Sequence, residues 1–484
     1  MCSISGALIL RECNQRKMVA DRLTELIRRG CDRGRDSFGI TCVSEAGTIV
    51  EMKELGSSSM LGDDELVVGQ DTTIVLNNNR AEPTTEWVAE KSEVDIQPFT
   101  YDGWIVAHNG VIANDRELAE QYGVTPYTSI DSGVLPAVMS VKSPDGLDAF
   151  VLRDFLRDEV LGSFAAAFAH TSDPYRVILA TNYKPLYVEY DQDLKTVFWS
   201  SLEGYLKDPN KKIHEEFQSH SQVKEMPPYT LWEIVDTPKG LLVNELSLRK
   251  DRQKNSALVV CSGGLDSTVA ATWAAREGLD VTLLHFDYGA RARVKELQAV
   301  ENICAAMGWQ FITMDMRTLF QQIGGSRLTN TLDELVTADE GAAGAEYAHE
   351  WVPARNLVML SLATAVAESA GFPYIVLGNN LEEAGAYPDN EMQFINKLNE
   401  VLPYATNLHH YVEILMPVGN LMKHEIVRTG LELDAPMDLT WSCYEGGTVH
   451  CGTCGPCFMR KKAFEMNGQT DPVFLAVESM EVPE

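Results

Sequence analysis

From residue 256 onward, short apolar runs alternate with longer segments of helical spacing, and no other feature limits the available folds so strongly. ALVVC (257–261) leads through a glycine turn to STVAATWAAREG (267–278), VTLLHF (281–286), VKELQAVENICAAMG (294–308) and WQFITMDM (309–316). RNLVMLSLATAVAESAG (355–371) and PYIVLG (373–378) then repeat the pattern. Such alternation predicts an α/β doubly wound parallel sheet with ligands at the carboxyl ends of its strands. The residues before it read differently. An early helix in RKMVADRLTELIRRGCDRG (16–34) is followed by the β-type segments TIVLNNN, GWIVAHNG, FAAAFAH, RVILAT, PLYVEY and TVFWSS. They suggest stacked antiparallel sheets. The change falls between residues 237 and 255, so two domains are expected, 2–240 and 255–475.

CSGGLDS (261–267) sits between a buried strand and a helix start. Gly263 and Gly264 let the backbone turn tightly and present N–H groups, and the helix beginning near Ser267 adds positive potential for an anion. A glycine pair here can also be a plain tight turn. The loop lacks the lysine of a Walker motif, which grips the β and γ phosphates. Four of the ten cysteines, Cys443, Cys451, Cys454 and Cys457, crowd into the last fifth of the chain. Their spacing is that of a tetrahedral structural zinc site, with Gly452 and Gly455 allowing the knuckle turns; four reduced core thiols are the plain alternative. His450, directly beside Cys451, is read as a bystander. Four thiolates close the coordination sphere, so such a zinc would not activate water.

At the other end, Cys2 becomes a mature amino terminus if Met1 is removed, which a small second residue permits. Its α-amine then lies beside its thiol and can act as the general base. If Met1 stays, that amine is blocked and the chemistry stops. The chain carries 40 Lys+Arg against 70 Asp+Glu, a net charge of −30, and neither half is basic. A field this negative repels phosphate backbones and favours a small-molecule substrate. The short basic runs RKDRQK (249–254) and RKK (460–462) are read as solvated faces. No run of about 18 apolar residues and no signal-peptide pattern occurs, so a cytoplasmic protein with no membrane span is expected.

Around the loop, SGGLDS resembles the N-type ATP pyrophosphatases. The resemblance implies that Ser262, Gly263, Gly264, Asp266 and Ser267 bind ATP, with Asp266 as the Mg2+-linked carboxylate and cleavage between the α and β phosphates. HFDYGARARVKEL (285–297), WVPARN (351–356), GAYPDN (385–390) and TWSCYEGGTVHCGTCGPCFMRKKAF (440–464) together resemble the 7-cyano-7-deazaguanine synthases over roughly 256–470. In that light Arg355, Asn356, Tyr387 and Asp389 are candidate ATP or base contacts, with Asp389 facing a guanine-like edge. Two departures stand out: Ala290 and Ala292 replace the family's Gln and His, and Asn390 replaces its Cys. RGRDSFGI (33–40), NNNRAEPTTEW (77–87), AHNGVI (107–112) and the Asp-Ser pair at 131–132 resemble the N-terminal-nucleophile glutamine amidotransferases over about 2–205, which implies an α+β four-layer αββα sandwich. Carried over, Cys2 attacks the glutamine carboxamide, Asn109 and the Gly110 N–H form the oxyanion hole, Arg80 clamps the α-carboxylate and Asp131 holds the α-ammonium. Arg33 and Asp36 pin the loop beneath the nucleophile.

The fusion is similar to the archaeosine-forming amidotransferases. It implies that glutamine-derived ammonia passes by an internal path to a 7-deazaguanine. The expected reaction is conversion of the 7-cyano group to a formamidine, on the free base or on a base in tRNA or DNA. Synthesis of the nitrile from 7-carboxy-7-deazaguanine, driven by ATP, is the alternative. Asparagine synthetase joins the same two superfamilies but has no reason to carry the cysteine cluster, and a non-enzymatic scaffold has no reason to keep every reactive residue. The oligomeric state is left open, a homo-oligomer included.

Overall fold

The computed structural model describes residues 2–63, 65, 66, 68–81, 92–206, 223–250, 255–324, 351–384, 387–406 and 412–474. Outside them fall Met1, residues 82–87 of the NNNRAEPTTEW string, residues 251–254 of the basic run, and Gly385 with Ala386. The chain divides into two compact units, Met1–Lys250 and Asp251–Glu484.

Two antiparallel sheets build the first unit. In the seven-stranded sheet, Ser3–Ile9 lies between Thr196–Ser200 and Thr72–Arg80. The six-stranded sheet runs Gly240–Ser247, Thr230–Thr237, Arg176–Thr181, Gly162–His170, Trp104–Ile112, Phe99–Tyr101. Period-two alternation points one set of side chains from each sheet into a shared core: Ile4, Leu8 and Leu76 from the first meet Ile105, Ala107, Ala167 and Leu179 from the second. The alternate set of the first sheet, Ala7, Ile9 and Val75, packs on Val19, Leu23, Leu26 and Ile27 of the helix Arg16–Arg29. The helix Val134–Lys142 packs on the Phe99–Tyr101 and Trp104–Ile112 strands.

The sheet continues past residue 240, because Gly240–Ser247 pairs with Thr230–Thr237 along its whole length. This edge strand is largely exposed, so no alternation of buried residues marks it in the sequence.

The second unit is a five-stranded, wholly parallel sheet in the order Gln310–Asp315, Asp280–Asp287, Ser256–Val260, Tyr374–Val376, Glu413–Leu415. Ala257, Val259 and Leu283 point to one face and pack with Val269 and Ala270 of the helix Leu265–Arg276 and Val300 and Ile303 of the helix Arg293–Met307. Leu258, Leu284 and Ile375 point to the other and pack with Leu360 and Ala363 of the helix Arg355–Ala370. Burial on both sides is why these strands read as continuous apolar runs. Strand order reverses between Ser256–Val260 and Tyr374–Val376, the switch point at whose carboxyl ends sheets of this kind bind ligands. No helix among the described residues is long and apolar enough to cross a membrane.

Candidate active sites

Cys2 heads the central strand of the first sheet, half-buried, and its thiol donates to Ala81 O at 3.7 Å. Ser3 pairs with Asn79, so Cys2 lies at the strand end beside buried Arg80. Asn109 and Gly110 lie on the second sheet. The two sheets are stitched together at this point, for Asn78 Nδ2 donates to His108 O at 2.8 Å. The Asn109 Nδ2 is buried without a hydrogen-bond partner. A buried donor left unmade is costly, and one aimed at a developing oxyanion is the arrangement that catalysis requires. Gly110 cannot be replaced, since a Cβ there would lie 1.8 Å from Ser163 O.

Asp131 is buried, and both its oxygens already accept hydrogen bonds: Oδ2 from Ile112 N at 2.6 Å, Oδ1 from Ser132 N at 2.5 Å and Ser132 Oγ at 2.8 Å. It therefore splints the strand that carries Asn109, while a carboxylate's remaining lone pairs can still meet an ammonium. Behind it, His108 Nδ1 lies 2.7 Å from Ser132 Oγ. Burial pushes this imidazole below its ordinary pKa and keeps it neutral. Sequence reasoning passed over His108, Ser132 and Asn78; the adjoining HNG and DS strings were the signal. Replacing Asn109 with alanine is expected to lower kcat for glutamate release by about 10²- to 10³-fold with little change in KM.

In the second unit, Gly263 has φ +78° and a Cβ there would lie 2.7 Å from Glu296 O, so only glycine fits between loop and helix. Ser262 is exposed, and Ser267 Oγ donates to Gly264 O at 3.2 Å. Asp266 Oδ2 accepts from Lys423 Nζ at 2.5 Å and Asn380 Nδ2 at 3.1 Å, whereas its Oδ1 is buried with no hydrogen-bond partner. That leaves an anionic oxygen open to a cation, which fits a magnesium-linked role. Gly378 presses on the loop, where a Cβ would lie 2.4 Å from Ser267 N. Lys423 and Asn380 are buried and were not foreseen. Neither stands in a motif that singles it out.

Asp389 has a structural task as well as its expected one. Its Oδ2 accepts from Asn356 N at 3.1 Å, at the start of the helix Arg355–Ala370. Asn390 accepts from Asn356 and from Asn379, so the departure from Cys is absorbed by a local amide network. Arg355 lies over the Tyr288 ring at 5.7 Å, and Tyr387 stacks on Trp351 with centroids 6.1 Å apart.

Near them lies Glu296, 9% exposed, its carboxyl pushed by burial up to about 7 against the opposing pull of Arg355. The unfolded chain releases this proton near 4.5, but the fold holds it until about 7. Stability should therefore fall as pH rises across that window, by up to about 3 kcal/mol from this group. Glu296→Gln should remove the loss, so that its thermal midpoint gains roughly 5 °C on the wild type between pH 5 and pH 8 in parallel scans.

The Sγ atoms of Cys443, Cys451, Cys454 and Cys457 lie within 4.8 Å of one another. Cys451 N donates to Cys443 Sγ at 3.4 Å and Cys454 N to Cys451 Sγ at 3.3 Å, as in thiolate knuckles. A set of four soft donors suits a tetrahedral metal with no open position. His450 faces elsewhere: its Nε2 accepts from Ser442 N at 3.1 Å and its ring lies 4.3 Å from Trp441. The same segment reaches the phosphate loop, since Trp441 N donates to Gly263 O at 2.8 Å.

Arg460 overturns the reading of RKK as a solvated face. It is fully buried, with Nε 2.7 Å from Asp471 Oδ2 and further donors on Thr440 Oγ1 and Met437 O. Helical periodicity turns it inward from its exposed neighbour Lys461.

Comparison with known proteins finds a family match in each half of the chain. Residues 256–468 match the family described as "Queuosine biosynthesis protein QueC" and residues 84–207 the "Glutamine amidotransferase domain" family. A "7-cyano-7-deazaguanine synthase" of Sulfolobus acidocaldarius is 46% identical, covering 98% of this chain and 99% of its own length. The protein of that name from Saccharolobus solfataricus is 47% identical over the same shares. One from Methanothrix thermoacetophila, 41% identical, spans 45% of this chain and 96% of its own. Among solved structures, a glutamine phosphoribosylpyrophosphate amidotransferase from B. subtilis aligns over 88% of this chain and 92% of its own at 14% identity and TM-score 0.37, too distant a likeness to bear on function. Matched almost end to end by its archaeal relatives, the chain belongs to the family that joins a glutamine amidotransferase domain to a 7-cyano-7-deazaguanine synthase-like domain, and it is an enzyme of the amidotransferase and ATP-dependent ligase type.

Proposed function

We propose that the enzyme makes 7-cyano-7-deazaguanine from 7-carboxy-7-deazaguanine, with glutamine as nitrogen source and ATP as activator. The observation that carries this reading is the intact loop, with Asp266 held by Lys423 and Asn380 and one carboxylate oxygen open. Ammonia adds to a nitrile without a leaving oxygen, so amidine formation gives such a loop nothing to do. A carboxylate is different. Its two oxygens must both depart, and each becomes a leaving group only when bonded to phosphorus. The carboxylate oxygen attacks the α phosphorus and pyrophosphate leaves; ammonia then displaces AMP to give the amide. The amide oxygen then attacks the α phosphorus of a second ATP with loss of pyrophosphate, and loss of AMP and protons leaves the nitrile.

On the glutaminase side, Cys2 forms the thioester and releases ammonia, with Asn109 and the Gly110 N–H on the oxyanion and Arg80 and Asp131 on the α-carboxylate and α-ammonium. Magnesium bound at Asp266 would shield the phosphate charges from the entering nucleophile, and zinc on the four cysteines would be structural. Net charge argues for a free base over tRNA or DNA, and the chemistry suits a cytoplasmic enzyme.

Amidine formation, the reaction implied by the likeness of the fusion to archaeosine-forming amidotransferases, is the second reading. Incubation with glutamine and either the 7-carboxy or the 7-cyano base, each with and without ATP, read by mass spectrometry, separates the two. Nitrile from the acid, with two AMP per product, supports the first. A product heavier than the nitrile by one ammonia, formed without ATP, overturns it.

A further inference from the structure

Among the described residues, nothing hydrogen-bonds or ion-pairs with the Glu296 carboxyl, although the residue is nine-tenths buried. Its surroundings come from the carboxyl ends of two parallel strands and the amino end of a helix. Cys261 follows the strand Ser256–Val260, Asp287 ends the strand Asp280–Asp287 with Tyr288 just beyond it, and Arg355 opens the helix before Tyr374–Val376; each of them acts electrostatically with Glu296. Its own backbone touches the phosphate loop at Gly263. An acidic group held unpartnered at the carboxyl end of a parallel sheet, the end where sheets of this kind bind ligands, is costly to the fold, and such groups are kept where a ligand completes them.

From this placement we infer that Glu296 recognises the substrate base, its two carboxylate oxygens accepting the ring N–H and the amino group of the guanine-type edge. The chemistry selects that occupant. Phosphate oxygens are acceptors and would be repelled. An adenine edge presents one donor beside one acceptor and would match only the protonated acid, whereas the guanine edge presents two donors side by side, matched to an ionised carboxylate. Arg355 opposite supplies the positive charge that favours this ionised form once the base is bound. Asp389, the earlier candidate for the task, has one oxygen on the Asn356 N–H already.

This inference rests on the deazaguanine reading, and the test keeps the two apart. The full-length enzyme, with glutamine and ATP, is given the 7-carboxy base or its analogue lacking the ring amino group. In Glu296→Gln, KM for the natural base should rise about 10- to 100-fold, KM for ATP should stay within twofold, and the wild-type preference for the amino-bearing base should vanish. Glu296→Asp, one methylene shorter, should keep the preference with a weaker KM, and it decides the matter if the glutamine variant fails to fold. An unchanged base KM and preference in these variants, or a rise in the ATP KM instead, overturns the assignment. Failure of the wild type to use either base would instead overturn the proposed reaction.

Discussion

Cys2→Ala should abolish product formation from glutamine, by at least about 10³-fold, while ammonium chloride at alkaline pH still supports the ATP-dependent half-reaction at close to the wild-type rate. The two halves separate because the thiol belongs to the first unit, whereas the phosphate loop and the cysteine cluster belong to the second. Cys2 is half-buried at the head of its strand, and its thiol makes a long bond to Ala81 O at 3.7 Å. The oxyanion donors on the second sheet would remain in place, so residual glutamate release measures what they contribute alone. Turnover with glutamine at the wild-type rate in the variant would remove the basis for the scheme. So would mass spectrometry finding Met1 retained on active enzyme.

A second large effect is expected on stability. Arg460→Ala deletes a fully buried guanidinium that holds Asp471, Thr440, Ser442 and Met437 O. The Asp471 charge is left without compensation, and breaking a buried pair from one side costs about 3–5 kcal/mol. For a unit of this size the thermal midpoint should fall by roughly 6–20 °C. Lysine should rescue little, because a point charge cannot reproduce the planar fork on Asp471. Replacing both partners, as Arg460→Met with Asp471→Leu, should recover most of the loss, since no unpaired charge then remains. A single variant within 2 °C of the wild type would show that the pair is not under the strain of desolvation that its burial implies.

Features that lie in one stretch of chain were legible in the sequence. ALVVC followed by SGGLDS announces a strand, a tight turn and a helix start within a dozen residues, and the spacing of the last four cysteines announces their convergence. The strings around Asn109 and Asp131 likewise marked one site, although not the His108 and Ser132 groups that support it. What stayed hidden depends on register and on distance along the chain. Lys423 reaches Asp266 across 157 positions, and nothing in MKHEIV hints at it. Glu296 looked like one more acidic residue on a helix, and only packing against Gly263 gives it a place. The burial of Arg460 is a matter of helical phase, which a three-residue basic run cannot reveal. Gly240–Ser247 was missed for the opposite reason, being an edge strand with little buried.

The bond from Trp441 N to Gly263 O links the cysteine cluster to the ATP-handling turn by two residues of backbone. Shortage of the metal would thus slacken the turn first and spare the thiol, which belongs to the other unit. A cell starved of that metal would then hold chains that squander glutamine, spilling nitrogen that they no longer have the means to install.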